Sequence, residues 1–312
     1  TLIMKLIEKF REELFKEFES NKDAIYLGED VRNAHRGIAI GLHEKYGDNQ
    51  IIDMPISESA FTGLALGLAI SRKKVFVEYN FAGLVYLGLD QIFNQAHKYN
   101  EMLNTNLNLD LIYILPTGTR GGLAGHHSDN PYALLSHLGI QSFMPTNALD
   151  CEMIFNYLNE NRKPTAIFLP VASFFNEINH DQVGADFNFG FYRIHKGNKL
   201  NIICTGTTYG IIKEVVKELT NLDPNIFILT DLSFSEKTIN AINNIHDFPT
   251  IFIDDSFEIC GIASEINKYI PEKNLVKPLC RVSKNVPFAE HLEADVIVSK
   301  KRVKEVLTNL SK

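Results

Sequence analysis

The stretch "YGDNQIIDMPISESAFTGLALGLAI" (46–70) decides how this chain is read. An apolar run stops near Met54, and a helix rich in small residues starts at about position 58. Glu58 stands between Ser57 and Ser59 at that strand-to-helix turn. A carboxylate placed there is a first-turn acid favoured by the helix dipole, a solvated surface group, or a proton-handling group aimed into a cleft. Ile51, Ile52, Ile56 and Phe61 supply apolar neighbours for the third reading. Along the helix, Gly63 and Gly67 lie one turn apart on one face, with Ala60 and Ala65 nearby. Each interior glycine costs roughly 1 kcal/mol relative to alanine, which points to close packing within the chain or against a partner.

The same strand–turn–helix unit recurs on both sides. Leu6, Ile7, Phe10, Leu14 and Phe18 repeat at helical spacing over 3–20. "AIYLG" (24–28), "KVFVEY" (74–79), "LDLIYIL" (109–115) and "TAIFL" (165–169) are nearly continuous in apolarity, as strands buried on both faces are. Helical patterns near 36–46, 58–71, 83–103 and 147–161 separate them. Residues 170–199 have no clear period and are predicted to be a linker. The alternation then restarts with "LNIICTG" (200–206), "NIFILTD" (225–231) and "TIFIDDS" (250–256), each followed by a helix. This predicts an α/β protein of two domains with mainly parallel sheets, residues 1–185 and 186–312.

The 312 residues carry a net charge of −7 and no Lys/Arg-rich run, which argues against nucleic acid or an anionic membrane as partner. Cys151, Cys204, Cys260 and Cys280 are widely spaced, as in a reduced, cytoplasmic protein. No apolar run reaches membrane-span length. "GTRGGLAG" (118–125) follows a strand but fits neither dinucleotide- nor nucleotide-binding glycine motif. His126, His127 and Asp129 lack metal-ligand spacing, so no metal is assigned to them. Asp254 and Asp255 are expected to cap a helix after their strand.

Four segments in order carry a resemblance: "LGEDV" (27–31), "KYGDNQIIDMPISESAFTGLALGLAI" (45–70), "VEYNFAGLVYLGLDQIFNQAHK" (77–98) and "PTGTRGGLAGHHS" (116–128). Together they resemble the β subunits of thiamine-diphosphate-dependent 2-oxo acid dehydrogenases of the pyruvate, branched-chain and acetoin types. More distantly they resemble the pyrimidine-binding and C-terminal domains of transketolase. The resemblance implies that residues 1–185 form a pyrimidine-binding domain and 186–312 a transketolase C-terminal-like domain. It implies that Glu58 binds a ring nitrogen of the cofactor's aminopyrimidine and controls the proton whose removal activates the thiazolium carbon. His127 would stabilise charge or pass a proton near the reacting carbon, a task suited to imidazole. Glu29, Ile56, Asn80 and Leu84 would contact the cofactor.

The chain departs from its relatives at three positions. Leu84 stands where they place an aromatic against the aminopyrimidine, Ile114 replaces an arginine, and Pro170 replaces a glutamate. These departures leave the donor and acceptor substrates open. There is no G-D-G motif, the family's Mg²⁺ and diphosphate signature; "YGDNQ" lacks the second glycine. The resemblance therefore implies an α-type partner chain that brings Mg²⁺ and diphosphate, in a heterotetramer. It also implies a small 2-oxo acid substrate and a lipoyl-bearing acyltransferase as acceptor. Two alternatives stay open at this point: a two-chain transketolase-like carboligase, and a non-catalytic scaffold subunit.

Overall fold

The computed structural model describes residues 4–118, 121–175, 177–178, 189–245, 247–283 and 285–311. Along the chain the strands are β1 (Met4–Lys5), β2 (Ala24–Gly28), β3 (Ile51–Asp53), β4 (Lys74–Glu78), β5 (Leu111–Thr117), β6 (Gln141–Phe143), β7 (Thr165–Pro170) and β8 (Glu177–Ile178). They continue with β9 (Phe191–His195), β10 (Leu200–Cys204), β11 (Pro224–Leu229), β12 (Thr250–Phe257) and β13 (Leu279–Arg281). A six-stranded sheet runs β3-β2-β4-β5-β7-β6 with every pair parallel. A five-stranded sheet runs β13-β12-β10-β11-β9 and is parallel except for β9, which is antiparallel to β11. Strands β1 and β8 form a small antiparallel pair.

The continuous apolar runs are explained by burial on both sheet faces. Ile25, Leu27, Val75, Val77, Tyr113 and Leu115 pack toward the Glu58–Ile70 helix through Phe61, Ala65, Leu66 and Ala69. The alternate residues Tyr26, Phe76, Ile112 and Ile114 face the Leu6–Ser20 and Ala148–Glu160 helices through Phe10, Leu14, Phe18 and Phe155. Asn147 caps the second of these helices by accepting from the Asp150 amide at 3.0 Å, with Asp150 completing the capping box.

Several expectations are corrected. The supposed linker contains β9, an edge strand buried only at Phe191 and Tyr192 and increasingly exposed toward His195, so it lacks the continuous apolar run of the inner strands; the boundary drawn at 185/186 lies outside the described residues. The helix expected over 36–46 shrinks to Leu42–Tyr46, because Gly37 and Gly41 take left-handed φ values of 74° and 84°. The segment 83–103 is a 3-10 turn at Ala82–Gly88, a π-helical stretch at Asp90–His97 and a short α-helix at Tyr99–Leu103. Gly88 sits so close to the Glu58–Ile70 helix that an added Cβ would meet the Tyr79 hydroxyl at 2.5 Å and the Thr62 hydroxyl at 2.8 Å. Asp254 and Asp255 are not caps but fully buried residues of β12. Asp254 accepts from Thr205 at 2.6 Å and from Tyr132 of the first sheet's layer at 2.5 Å. Asp255 pairs with Arg281 at 3.0 Å.

The two sheet units are joined through backbone as well as side chains. The Met144 amide donates to Thr230 O at 2.8 Å, and the Leu232 amide donates to Ser142 O at 2.9 Å. Among the described residues no helix is long and apolar enough to cross a membrane.

Candidate active site

In an open parallel sheet the ligand crevice forms at the carboxyl ends of the strands, where the strand order reverses. Here the chain steps from β2 to β3 on one side and then returns to β4 on the other, so the reversal lies between β2 and β4. Glu29 follows β2, Glu58 follows β3, Asn80 and Phe81 follow β4, and the loop carrying His127 follows β5. Of the residues expected at the site, Glu29, Glu58, Asn80 and His127 therefore converge by topology.

Across the reversal point Asn80 Nδ2 donates to Glu29 Oε2 at 2.8 Å. The other oxygens of both side chains, Glu29 Oε1 and Asn80 Oδ1, are buried with no hydrogen-bond partner. Burial pushes the Glu29 carboxyl above the usual range, and the Glu58 charge adds to that shift. Glu58 itself is 6% exposed at the first position of its helix. Ser57 gives no side-chain cap there, while the Thr62 hydroxyl donates back to Glu58 O at 2.6 Å. The first-turn reading of Glu58 is thus true of its position, yet the group is buried rather than solvated.

Beneath the crevice Gly28 lets β2 approach β4. A Cβ there would meet Glu78 O at 2.3 Å. The Glu78 carboxyl is fully buried, accepts from the Tyr26 hydroxyl and is pushed up to about 7 by burial. The Arg36 charge opposes that shift. Arg36 lies with its guanidinium carbon 3.6 Å from the Phe81 ring centre, and the His127 ring meets Phe81 at 4.2 Å between centroids. Arg36, Phe81 and Glu78 were not singled out as functional from sequence. An arginine within the apolar, glycine-bearing run "RGIAIGL" (36–42) was the one available signal.

His127 is half-buried, and its Nδ1–H donates to Leu123 O at 3.0 Å, which leaves Nε2 free of that bond. His126 is exposed. Leu84 is partly buried against the core, whereas Ile56 is 85% exposed. Beyond it, Ala60, Leu64 and Gly67 form an exposed face of the Glu58–Ile70 helix, and an added Cβ at Gly67 would meet nothing within 4 Å. Ile114 is buried in β5, and Pro170 ends β7 with Gly206 packed against its ring. Among the described residues no three His, Cys, Asp or Glu side chains converge as metal ligands.

Residues 4–174, more than half of the chain, match the family model "Transketolase, pyrimidine binding domain", and the chain belongs to that family. The resemblance seen in the four motifs extends along nearly all of the sequence. A pyruvate dehydrogenase E1 component subunit beta from Cyanidium caldarium is 25% identical, over 99% of this chain and 98% of its own length. A 2-oxoisovalerate dehydrogenase subunit beta from Pseudomonas aeruginosa is 25% identical over 90% of this chain and 87% of its own. Among solved structures, a split gene transketolase described as an inactive β4 tetramer matches with a TM-score of 0.69. It is 15% identical and covers 97% of both chains, a likeness of fold.

Proposed function

We propose that this chain is the β-type subunit of a thiamine-diphosphate-dependent first component of a 2-oxo acid dehydrogenase. Its reaction would be decarboxylation of a small 2-oxo acid and transfer of the acyl group to a lipoyl arm. The observation that carries this reading is the pair of desolvated carboxylates, Glu58 and Glu29, at the strand-order reversal. The partnerless Glu29 Oε1 and Asn80 Oδ1 are acceptors suited to the N–H donors of an aminopyrimidine, so the residues present fit the group. The sequence likeness to E1 β subunits over 90–99% of this chain supports the 2-oxo acid reading over a transketolase-like one.

In this proposal Glu58 holds and returns the proton at the pyrimidine ring nitrogen. Glu29 and Asn80 orient the amino group, and Leu84 covers the ring by apolar contact. Thiamine diphosphate, when bound, supplies the nucleophilic carbon and takes up the electron pair left by loss of CO₂. His127, held through Nδ1, presents Nε2 at the reacting centre, where it takes or passes a proton. Phe81 buttresses that imidazole.

The exposed face of Ile56, Ala60, Leu64 and Gly67 is assigned to contact with an α-type chain. That chain would carry the G-D-G motif, Mg²⁺ and diphosphate, giving a two-fold heterotetramer. Ile56 would then touch the cofactor at the edge of this contact. The boundary between a pyrimidine-binding and a C-terminal domain is placed at 185/186, and a cytoplasmic location is proposed from the cysteine pattern.

The test is co-purification with the α-type partner, followed by a screen of 2-oxo acids for CO₂ release with and without a lipoyl acceptor domain. Release coupled to lipoyl acylation is the expected result. Transfer to aldehydes alone would replace this reading with the carboligase one.

A further inference from the structure

The glycine-rich loop before His127 is held from the other end of the chain. The Gly121 amide donates to Glu293 Oε1 at 3.0 Å, and the Gly122 amide donates to Glu293 Oε2 at 3.1 Å. Glu293 belongs to the Glu290–Val296 helix beside the second sheet and is 3% exposed. Both of its oxygens are thus used by two consecutive backbone donors of the first unit, a charge-assisted arrangement of high directional specificity. The chain around Glu293 also moulds the loop. Gly122 has a φ of 71°, and an added Cβ would meet Phe288 O at 2.6 Å.

From this clamp the path to the imidazole is short and covalently continuous. Leu123 O takes the Nδ1–H of His127, and Ala124 O takes the His127 amide at 3.2 Å. Ala124 sits at a φ of 61°, a conformation an alanine keeps only when its surroundings impose it. The carbonyls that aim His127 therefore follow directly on the two amides that Glu293 grips.

We infer that Glu293 is a positioning residue for His127. Through the Gly121 and Gly122 amides it sets the loop so that the second sheet unit, far away in sequence, determines the imidazole's orientation. The catalytic part of this inference rests on the function proposed above; the clamp itself does not.

The experiment uses the chain co-purified with its α-type partner and compares wild type with Glu293→Gln, which keeps the side chain's size but has one acceptor oxygen instead of two. Gly122→Ala displaces the same loop with Glu293 intact and guards against a folding artefact of the first variant. Hydrogen exchange of the 121–128 segment should be about tenfold faster or more in both variants, with the remaining segments unchanged. Turnover should fall by roughly 10- to 100-fold, with less change in KM for the 2-oxo acid. In a His127→Ala background, Glu293→Gln should lower turnover by less than about twofold further, because residues acting as a unit are not additive. Unchanged exchange would overturn the clamp, and faster exchange with full turnover would overturn its role in positioning. Independent, additive losses of Glu293 and His127 would also overturn that role. If no 2-oxo acid is turned over by wild type, the proposed function fails, and the exchange measurement alone still decides whether Glu293 holds the loop.

Discussion

The Arg36 guanidinium lies 3.6 Å from the centre of the Phe81 ring, and that ring in turn meets the His127 imidazole at 4.2 Å. Arg36 also feels the charge of the buried Glu78 carboxyl, which links the ring contacts electrostatically to the group beneath the sheet crevice. Neighbouring His126 takes no part in these contacts; its ring lies 6.3 Å from that of His127 and is exposed.

This difference sets the first expectation. His127→Ala should lower turnover of the assembled enzyme by about 100-fold or more, since a positioned imidazole is lost. His126→Ala should cost far less. Steady-state assays of both variants beside thermal midpoints test this, and a greater loss at His126 would shift the assignment by one residue.

Glu58→Gln should leave the fold intact and lower turnover by several orders of magnitude. Glutamine keeps a hydrogen bond but has no carboxyl proton to give, so cofactor affinity should fall less than the rate. Turnover and cofactor titration on the same preparation separate the two effects. Near-normal turnover would falsify the assignment of Glu58.

Glu78 should shape the pH dependence of stability. Burial raises its carboxyl from 4.5 to about 7 in the folded chain, so the native state binds this proton more tightly than the unfolded one. The associated stability is fully present below the unfolded value and is lost as pH rises through the folded value. Glu78→Gln cannot titrate, so its thermal midpoint should fall less than wild type's between about pH 5 and pH 8. Parallel midpoint curves for the two proteins would rule this out.

The isolated chain should bind thiamine diphosphate weakly. Most of the cofactor's charge is on the diphosphate, whereas Glu29, Glu58 and Asn80 can address only the aminopyrimidine, a small portion of limited binding energy. Calorimetric titration with Mg²⁺, first of the chain alone and then with its partner, provides the measurement. Micromolar, Mg²⁺-dependent binding by the chain alone would sink the split-site proposal.

Much of the architecture was legible because local physics wrote it into local patterns. Runs such as "AIYLG" and "TAIFL" are apolar at every position since both faces of their strands are covered, and the Glu58–Ile70 and Ala148–Glu160 helices fall within a residue or two of their predicted limits. Strands β3, β6 and β13, at three residues each, are too short to display a period. Edge strand β9 exposes part of its side chains and so lost the apolar continuity that marked the others. The family motifs pointed to Glu58, Glu29 and His127 as candidates, but not to what surrounds them.

What the sequence by itself determined was the alternation of strands and helices, the two sheet units, and the family to which the carboxylate and histidine motifs belong. Only the tertiary structure decided that Asp254 and Asp255 are buried strand residues rather than caps, that Arg36 lies over Phe81, and that Glu293 holds Gly121 and Gly122. The reason is one of range. Periodicity and capping act over a few residues and leave a trace in their spacing, whereas a hydrogen bond across 172 residues has no spacing rule and exists only once both sheets have formed and packed.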